Sequence, residues 1–237
     1  MLKNSNIDDI KEIAKKLFDV VDITPNEKFP FVCCHPYTST TILYSKKGEF
    51  CDLMKKEDFG KWRENVFRRL DNCKTVSDFL LVLNKPWYMA FLKYAKNKMS
   101  LKDFSYALGE AWVMQENPNG DINVPIRTSL SWFKQADKKA LMGKEDYEKW
   151  CSLDAGLVVY RGVVVRGNPK GLSWTTSKEQ AIWFAHRYDI GSTNETGYLQ
   201  RLVISNKDNI LAYFSTADEE EVVVDTYAEK GIEIIEE

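Results

Sequence analysis

Three short stretches in the last third of the chain carry residues that can do chemistry together. The first is Val158-Val159-Tyr160-Arg161-Gly162-Val163-Val164-Val165, an apolar run with one cation in it. Strand alternation puts Tyr160 and Gly162 on one face and Val159, Arg161 and Val163 on the other. A guanidinium in line with core valines must find an anion or reach a rim, because an unpaired buried charge is costly. Read alone, it is a structural ion pair. The second stretch, Gly171-Leu172-Ser173-Trp174-Thr175-Thr176-Ser177, leads into Ala181-Ile182-Trp183-Phe184-Ala185. Ser173 and Thr175 are two apart, so on a strand both hydroxyls face the same way and can orient a neighbouring carboxylate. Ser177 is placed to cap the following helix. The third, Asp218-Glu219-Glu220-Glu221-Val222-Val223-Val224-Asp225, runs from acids straight into an apolar strand. Glu219 and Glu221 then share a face, an arrangement suited to stabilising a cation. Desolvated together, the two carboxylates would push at least one pKa upward.

Elements of two kinds must position these groups. Up to about residue 150 the apolar spacing is helical: Ile7, Ile10, Ala14, Leu17 and Val21 form one stripe, and Phe59, Trp62, Val66 and Leu70 another. Thr75 caps a predicted helix through Leu83, and Pro86 suits the first turn of the next, Trp87 to Ala95. Ser100-Leu101-Lys102-Asp103 reads as a capping box, opening a helix that carries Phe104, Leu108, Ala111 and Trp112. Asn117-Pro118-Asn119-Gly120-Asp121 reads as a turn. Helical spacing resumes over 128–141 and 145–151, while Thr38 to Tyr44 reads as extended chain. Beyond about residue 155 the period becomes two. Strands are predicted over 157–165, 172–175, 198–204, 210–214, 221–226 and 232–235, with one helix over 178–188. Helices followed by strands imply an α+β fold rather than alternating βαβ units.

Composition narrows the class. The chain has 237 residues, 44% hydrophobic and 29% charged, with a formal net charge of −2. That permits a sizeable core and argues against a generic nucleic-acid coat protein. Residues 1–150 hold 25 basic and 21 acidic side chains, against 8 and 14 in 151–237. No apolar run approaches the roughly 18 residues of a membrane helix, and the first residues turn acidic where a secretory signal would turn apolar, so a cytoplasmic protein is expected. Five irregularly spaced cysteines make a poor disulfide framework. Cys33-Cys34-His35 is read as packing, since adjacent ligands wrap a tetrahedral ion badly; no metal is expected.

In order, an Arg on a strand, Ser-x-Thr before an Ala-x-x-Phe-Ala helix, and Glu-x-Glu opening an apolar strand resemble the R-S-E class of mono-ADP-ribosyltransferases. The similarity covers about residues 155–237. Ser173-Trp174-Thr175 stands where that family has Ser-Thr-Ser, and Thr175-Thr176-Ser177 is the other register. The resemblance implies a split β-sandwich catalytic core over 153–237, a helical lobe over 76–152, and a separate helical or mixed segment over 1–75 available for recognition. It implies NAD as substrate, with Arg161 on the pyrophosphate, flanked by Tyr160 and Gly162. Ser173 and Thr175 would hold the catalytic carboxylate and border the nicotinamide pocket, with Phe184 beside it. Glu221 would stabilise the oxocarbenium ion, and Glu219 would position or deprotonate the acceptor, with Phe214 in the acceptor-contacting segment Ala212 to Ala217.

The resemblance implies a macromolecular acceptor, either a protein side chain such as arginine or an RNA or DNA base. The basic residues Arg63, Arg68, Arg69, Lys93, Lys96, Lys98, Lys134, Lys138 and Lys139 are compatible with the latter, although their spacing is that of a solvated helix face. By analogy, an intracellular toxin or phage-borne or defence effector with a neutralising protein partner is expected. The alternatives are an NAD glycohydrolase using the same site with water, and a non-catalytic interaction module.

Overall fold

Asn6 opens the first helix by accepting a hydrogen bond from Asp9 N–H, and Asp8 and Asp9 lie at the positive end of the helix dipole. The resulting helix α1 (Ile7–Asp19) turns Ile10, Ala14, Leu17 and Phe18 inward. The computed structural model describes residues 2–44, 48–189, 196–215 and 219–236. Its chain divides into two compact units, 1–107 and 108–237.

In the first unit, the predicted extended segment breaks at Thr41 into two pieces. β1 (Val32–His35) pairs with β2 (Thr38–Thr40), and β3 (Ile42–Tyr44) with β4 (Phe50–Asp52), both antiparallel. Next come α2 (Lys56–Asn72), α3 (Val76–Val82) and α4 (Tyr88–Ala95). Thr75 and Asp78 form a reciprocal capping box on α3. At the start of α5 (Leu101–Val113), the expected box closes by halves. Ser100 Oγ accepts from Asp103 N–H, but the Asp103 carboxylate accepts from the hydroxyls of Ser100 and Ser5, and Ser100 N–H donates to Ser5 Oγ. Helices α3 and α4, grouped by sequence with the β-rich part, pack here against α2 and α1. The core is aromatic: Phe18 meets the rings of His35, Tyr37, Phe59, Trp62 and Phe67 within 6 Å. Burial lowers the His35 pKa to about 4, and its Nδ1 accepts from Tyr37 N–H. Cys33 is buried and Cys34 exposed, and all five thiols are free.

The second unit contains the end of α5, α6 (Ile126–Gln135), α7 (Lys138–Leu141), α8 (Lys144–Ser152) and α9 (Lys178–His186) beside one sheet. Its strands are β5 (Val158–Val163), β6 (Ser173–Thr175), β7 (Tyr198–Val203), β8 (Ile210–Phe214), β9 (Glu221–Val224) and β10 (Glu233–Ile235). They lie in the order β10-β7-β5-β6-β9-β8, every pair antiparallel. The α+β expectation is met. All six predicted strands occur, with ends trimmed by one or two residues where pairing stops. Edge strand β8 is covered: Trp150 Nε1 donates to Ile210 O and Lys138 Nζ to Leu211 O. Lys138 is therefore no surface cation. Its amine also donates to Phe133 O, and burial lowers its pKa to about 8.

The sheet pinches in the middle. Among the described residues, β5 and β6 share the single pair Tyr160↔Thr175, whereas β5 and β7 share six. Pairing between β5 and β6 stops beyond Tyr160, and the site lies where it stops.

Candidate active site

Arg161 follows the single paired residue Tyr160, where β5 and β6 have begun to diverge. Its guanidinium reaches across the gap: Nη1 donates to Ser173 O at 2.6 Å and Nη2 to Asn168 O at 3.3 Å. Gly171 leaves room for this. A Cβ there would fall 2.1 Å from Nη2 and 2.3 Å from Cζ. The side chain pairs across strands with Gln200. Arg161 Nε and Gln200 Oε1 are both enclosed without a hydrogen-bond partner among the described residues. Burial lowers the Arg161 pKa to about 10, opposed by the charge of Glu221, and the group stays cationic at neutral pH. Arg161 is thus a pin as well as a charge: it ties β5 to β6 and to the loop before it.

Glu221 opens β9 opposite Thr175 of β6. Trp112 Nε1, from the last turn of α5, donates to its Oε1 at 2.8 Å. The Ser173 hydroxyl lies close to it on β6. Burial raises the Glu221 pKa, as does Glu219, while the neighbouring Ser173 hydroxyl, the Trp112 hydrogen bond and Arg161 pull it back. A hydrogen bond to an ionised group contributes about 1.5–3 kcal/mol, enough to decide the charge state of such a carboxyl. Asn119, in the one-turn 3₁₀ segment Pro118–Gly120, organises Ser173. Its Oδ1 accepts from Leu172 N–H at 2.5 Å and Ser173 N–H at 3.4 Å, and its Nδ2 donates to Ser173 Oγ at 2.9 Å.

These groups line one cavity of about 740 Å³, within the usual ~300–1,000 Å³ of small-molecule sites. Tyr160, Arg161, Gly162, Ser173, Thr175, Phe184, Glu219 and Glu221 all border it, and so do Trp112, Asn119 and Arg187. The two hydroxyl registers separate. Ser173 meets Glu221, whereas Ser177 caps α9 by accepting from Gln180 N–H and the Thr176 hydroxyl donates to Glu220. Thr175 Oγ1 accepts from Ser177 N–H at 3.1 Å, so its hydroxyl shapes the strand-to-helix turn. Gly162 has a packing reason of its own, since α9 crosses β5 directly over it. Trp174 is core: it is buried and donates to Gly171 O.

Phe214 does not reach the cavity. It is 4% exposed on β8, a strand whose five residues are all buried. Of the neighbouring segment, Thr216, Ala217 and Asp218 lie outside the described residues. Glu219 is part-buried, and burial raises its pKa against the pull of Arg187. Arg187 is a site residue that sequence reasoning passed over. Its guanidinium lies 4.9 Å from the Phe184 ring and 4.7 Å from the Tyr188 ring, and its Nε is enclosed without a partner among the described residues. The one available signal was its place at the end of the Trp183-Phe184 helix.

Trp112 and Asn119 carried no such signal, being read as a core aromatic and a turn. Compared with known proteins, the chain matches no family model, no curated protein and no solved structure. Among the described residues no helix is long and apolar enough to cross a membrane.

Proposed function

We propose that the second unit is an NAD-dependent mono-ADP-ribosyltransferase that cleaves the nicotinamide–ribose bond and passes ADP-ribose to a macromolecular acceptor. One observation carries the reading. A part-buried carboxylate, Glu221, held by an indole N–H and flanked by the Ser173 hydroxyl, shares a cavity with a second acid, Glu219, and a part-buried guanidinium, Arg161. The pinch between β5 and β6, with the cavity at the parting, supports a split β-sandwich of the R-S-E kind.

The chemistry fits the residues. Nicotinamide leaves from a pyridinium, so its departure needs no general acid, and the C1–N bond electrons neutralise the ring. Positive charge then develops on the ribose. A carboxylate fixed in a low-dielectric cavity stabilises that charge without reorganising. Glu221 takes this role and accepts a hydrogen bond from a ribose hydroxyl. The acceptor nucleophile forms the new bond to C1 and loses its proton to Glu219, whose raised pKa suits it to hold one. Arg161 supplies positive charge beside the pyrophosphate. Its Nη1 and Nη2 already serve main-chain carbonyls, so its grip on an anion rests on Nε and the remaining N–H hydrogens.

The test is incubation with NAD labelled on the adenylate phosphate and a cell lysate, followed by separate nuclease and protease digestion. Label in macromolecules, lost in Glu221→Gln, supports the transferase, and the digestion identifies the acceptor class. Release of nicotinamide without labelling, unaffected by Glu219→Gln, assigns the site to NAD hydrolysis instead. No NAD cleavage by the intact protein rejects the reading.

A further inference from the structure

We propose that Trp112 is a positioning residue of this site: its indole N–H fixes Glu221 Oε1, so that the other carboxylate oxygen is the one presented to the ligand. The inference rests on the reading above for what the ligand is, but the pair itself is a matter of geometry. Trp112 is 1% exposed and lines the cavity. Its ring stands edge-on to Phe133 of α6, with centroids 4.8 Å apart and planes at 88°. That contact packs the ring in place. The 2.8 Å bond spans 109 residues of sequence.

An indole N–H is a donor with no acceptor capacity and no titration of its own. It can serve only the acceptor oxygens of Glu221, and it serves the ionised form best. Four neighbours bear on this carboxyl: Glu219, before β9, raises its pKa, while Arg161 of β5, the Ser173 hydroxyl of β6 and Trp112 lower it. Burial outweighs them, and the pKa lies above the ordinary glutamate value. Losing the indole donor removes one of three opposing influences. The indole N–H supplies the hydrogen bond that fixes this carboxylate, so without it the carboxylate would be free to rotate beside Ser173, whose hydroxyl Asn119 holds.

The experiment uses the full chain labelled with ¹³C at glutamate carboxyls, with Glu221→Gln assigning the Glu221 resonance. In Trp112→Phe the midpoint of the Glu221 titration should rise by about one pH unit. An unchanged midpoint overturns the proposal whatever the protein does with NAD. Should Trp112→Phe fail to fold, benzothienylalanine at position 112, which keeps the shape and replaces N–H by sulfur, gives the same readout. In NAD cleavage, the acid limb of kcat should move upward by the same amount, with KM changed less than about threefold. A uniform fall in kcat with the limb unmoved would mark a packing role and overturn the proposal. A wild-type chain that does not cleave NAD rejects the functional reading above, and the titration still decides the Trp112–Glu221 pair.

Discussion

Replacing Gly162 with alanine would put a methyl carbon 2.1 Å from Ala181 O and 2.4 Å from Ala185 N, both main-chain atoms of α9. Ordinary contact begins near 3.4 Å, so the helix would have to retreat by about 1.3 Å or β5 would have to bend. Neither neighbour is a flexible side-chain end, so the strain cannot be shed by a rotamer change. Overpacking of this kind costs about 1–3 kcal/mol. In urea, with a slope of about 2 kcal/mol per molar, the midpoint of the second unit should fall by about 0.5–1.5 M with the slope unchanged. Helix α9 also carries Phe184, and Arg187 follows it, so a displacement near 1 Å at the cavity wall should cut NAD turnover by about 100-fold. The control is Gly60→Ala. Gly60 lies inside α2 with nothing within 4 Å of where a methyl carbon would stand, and alanine there should stabilise by about 0.5–1 kcal/mol through helix propensity. Opposite signs for two chemically identical substitutions would be the signature of a helix resting on a strand. A Gly162→Ala protein with the wild-type midpoint and full turnover would refute the close contact, and with it the packing reason given for this glycine.

The remaining predictions concern charge states and the groups around Glu221. Glu221→Gln should abolish labelling yet melt no lower than wild type at neutral pH. A carboxyl whose folded pKa is raised favours the folded state below that pKa, and the advantage disappears as pH rises through it. Asn119→Ala should lower kcat by about tenfold through loss of the Ser173 orientation, with little change in folding, read from steady-state rates beside the thermal melt. His35, one of only two histidines, should titrate near pH 4 in a two-dimensional ¹H–¹⁵N spectrum. Its unfolded-state pKa lies near 6.5, so its contribution to stability is whole above that value and is lost as pH falls toward 4. His35→Gln should weaken that acid dependence of the melting temperature.

What the chain determines locally is what period and neighbour chemistry determine. The alternation of Val158 to Val163 set a strand and put Arg161 among the valines. Thr75 with Asp78 set a helix start, and Glu219 with Glu221 two apart set the carboxylates toward one cavity. These follow from interactions within a few residues, where spacing and direction are linked by backbone geometry. Tertiary structure decided which of those groups touch. Trp112 finds Glu221 across 109 residues, and Asn119 finds Ser173 across 54; no local period carries such a contact. Phe214 is buried because β8 is covered on both faces, and Lys138 left the surface because its amine satisfies carbonyls from α6 and β8. Hydrogen-bond partners at long range are selected by burial, which makes an unmet polar group costly, and burial is a property of the packed chain.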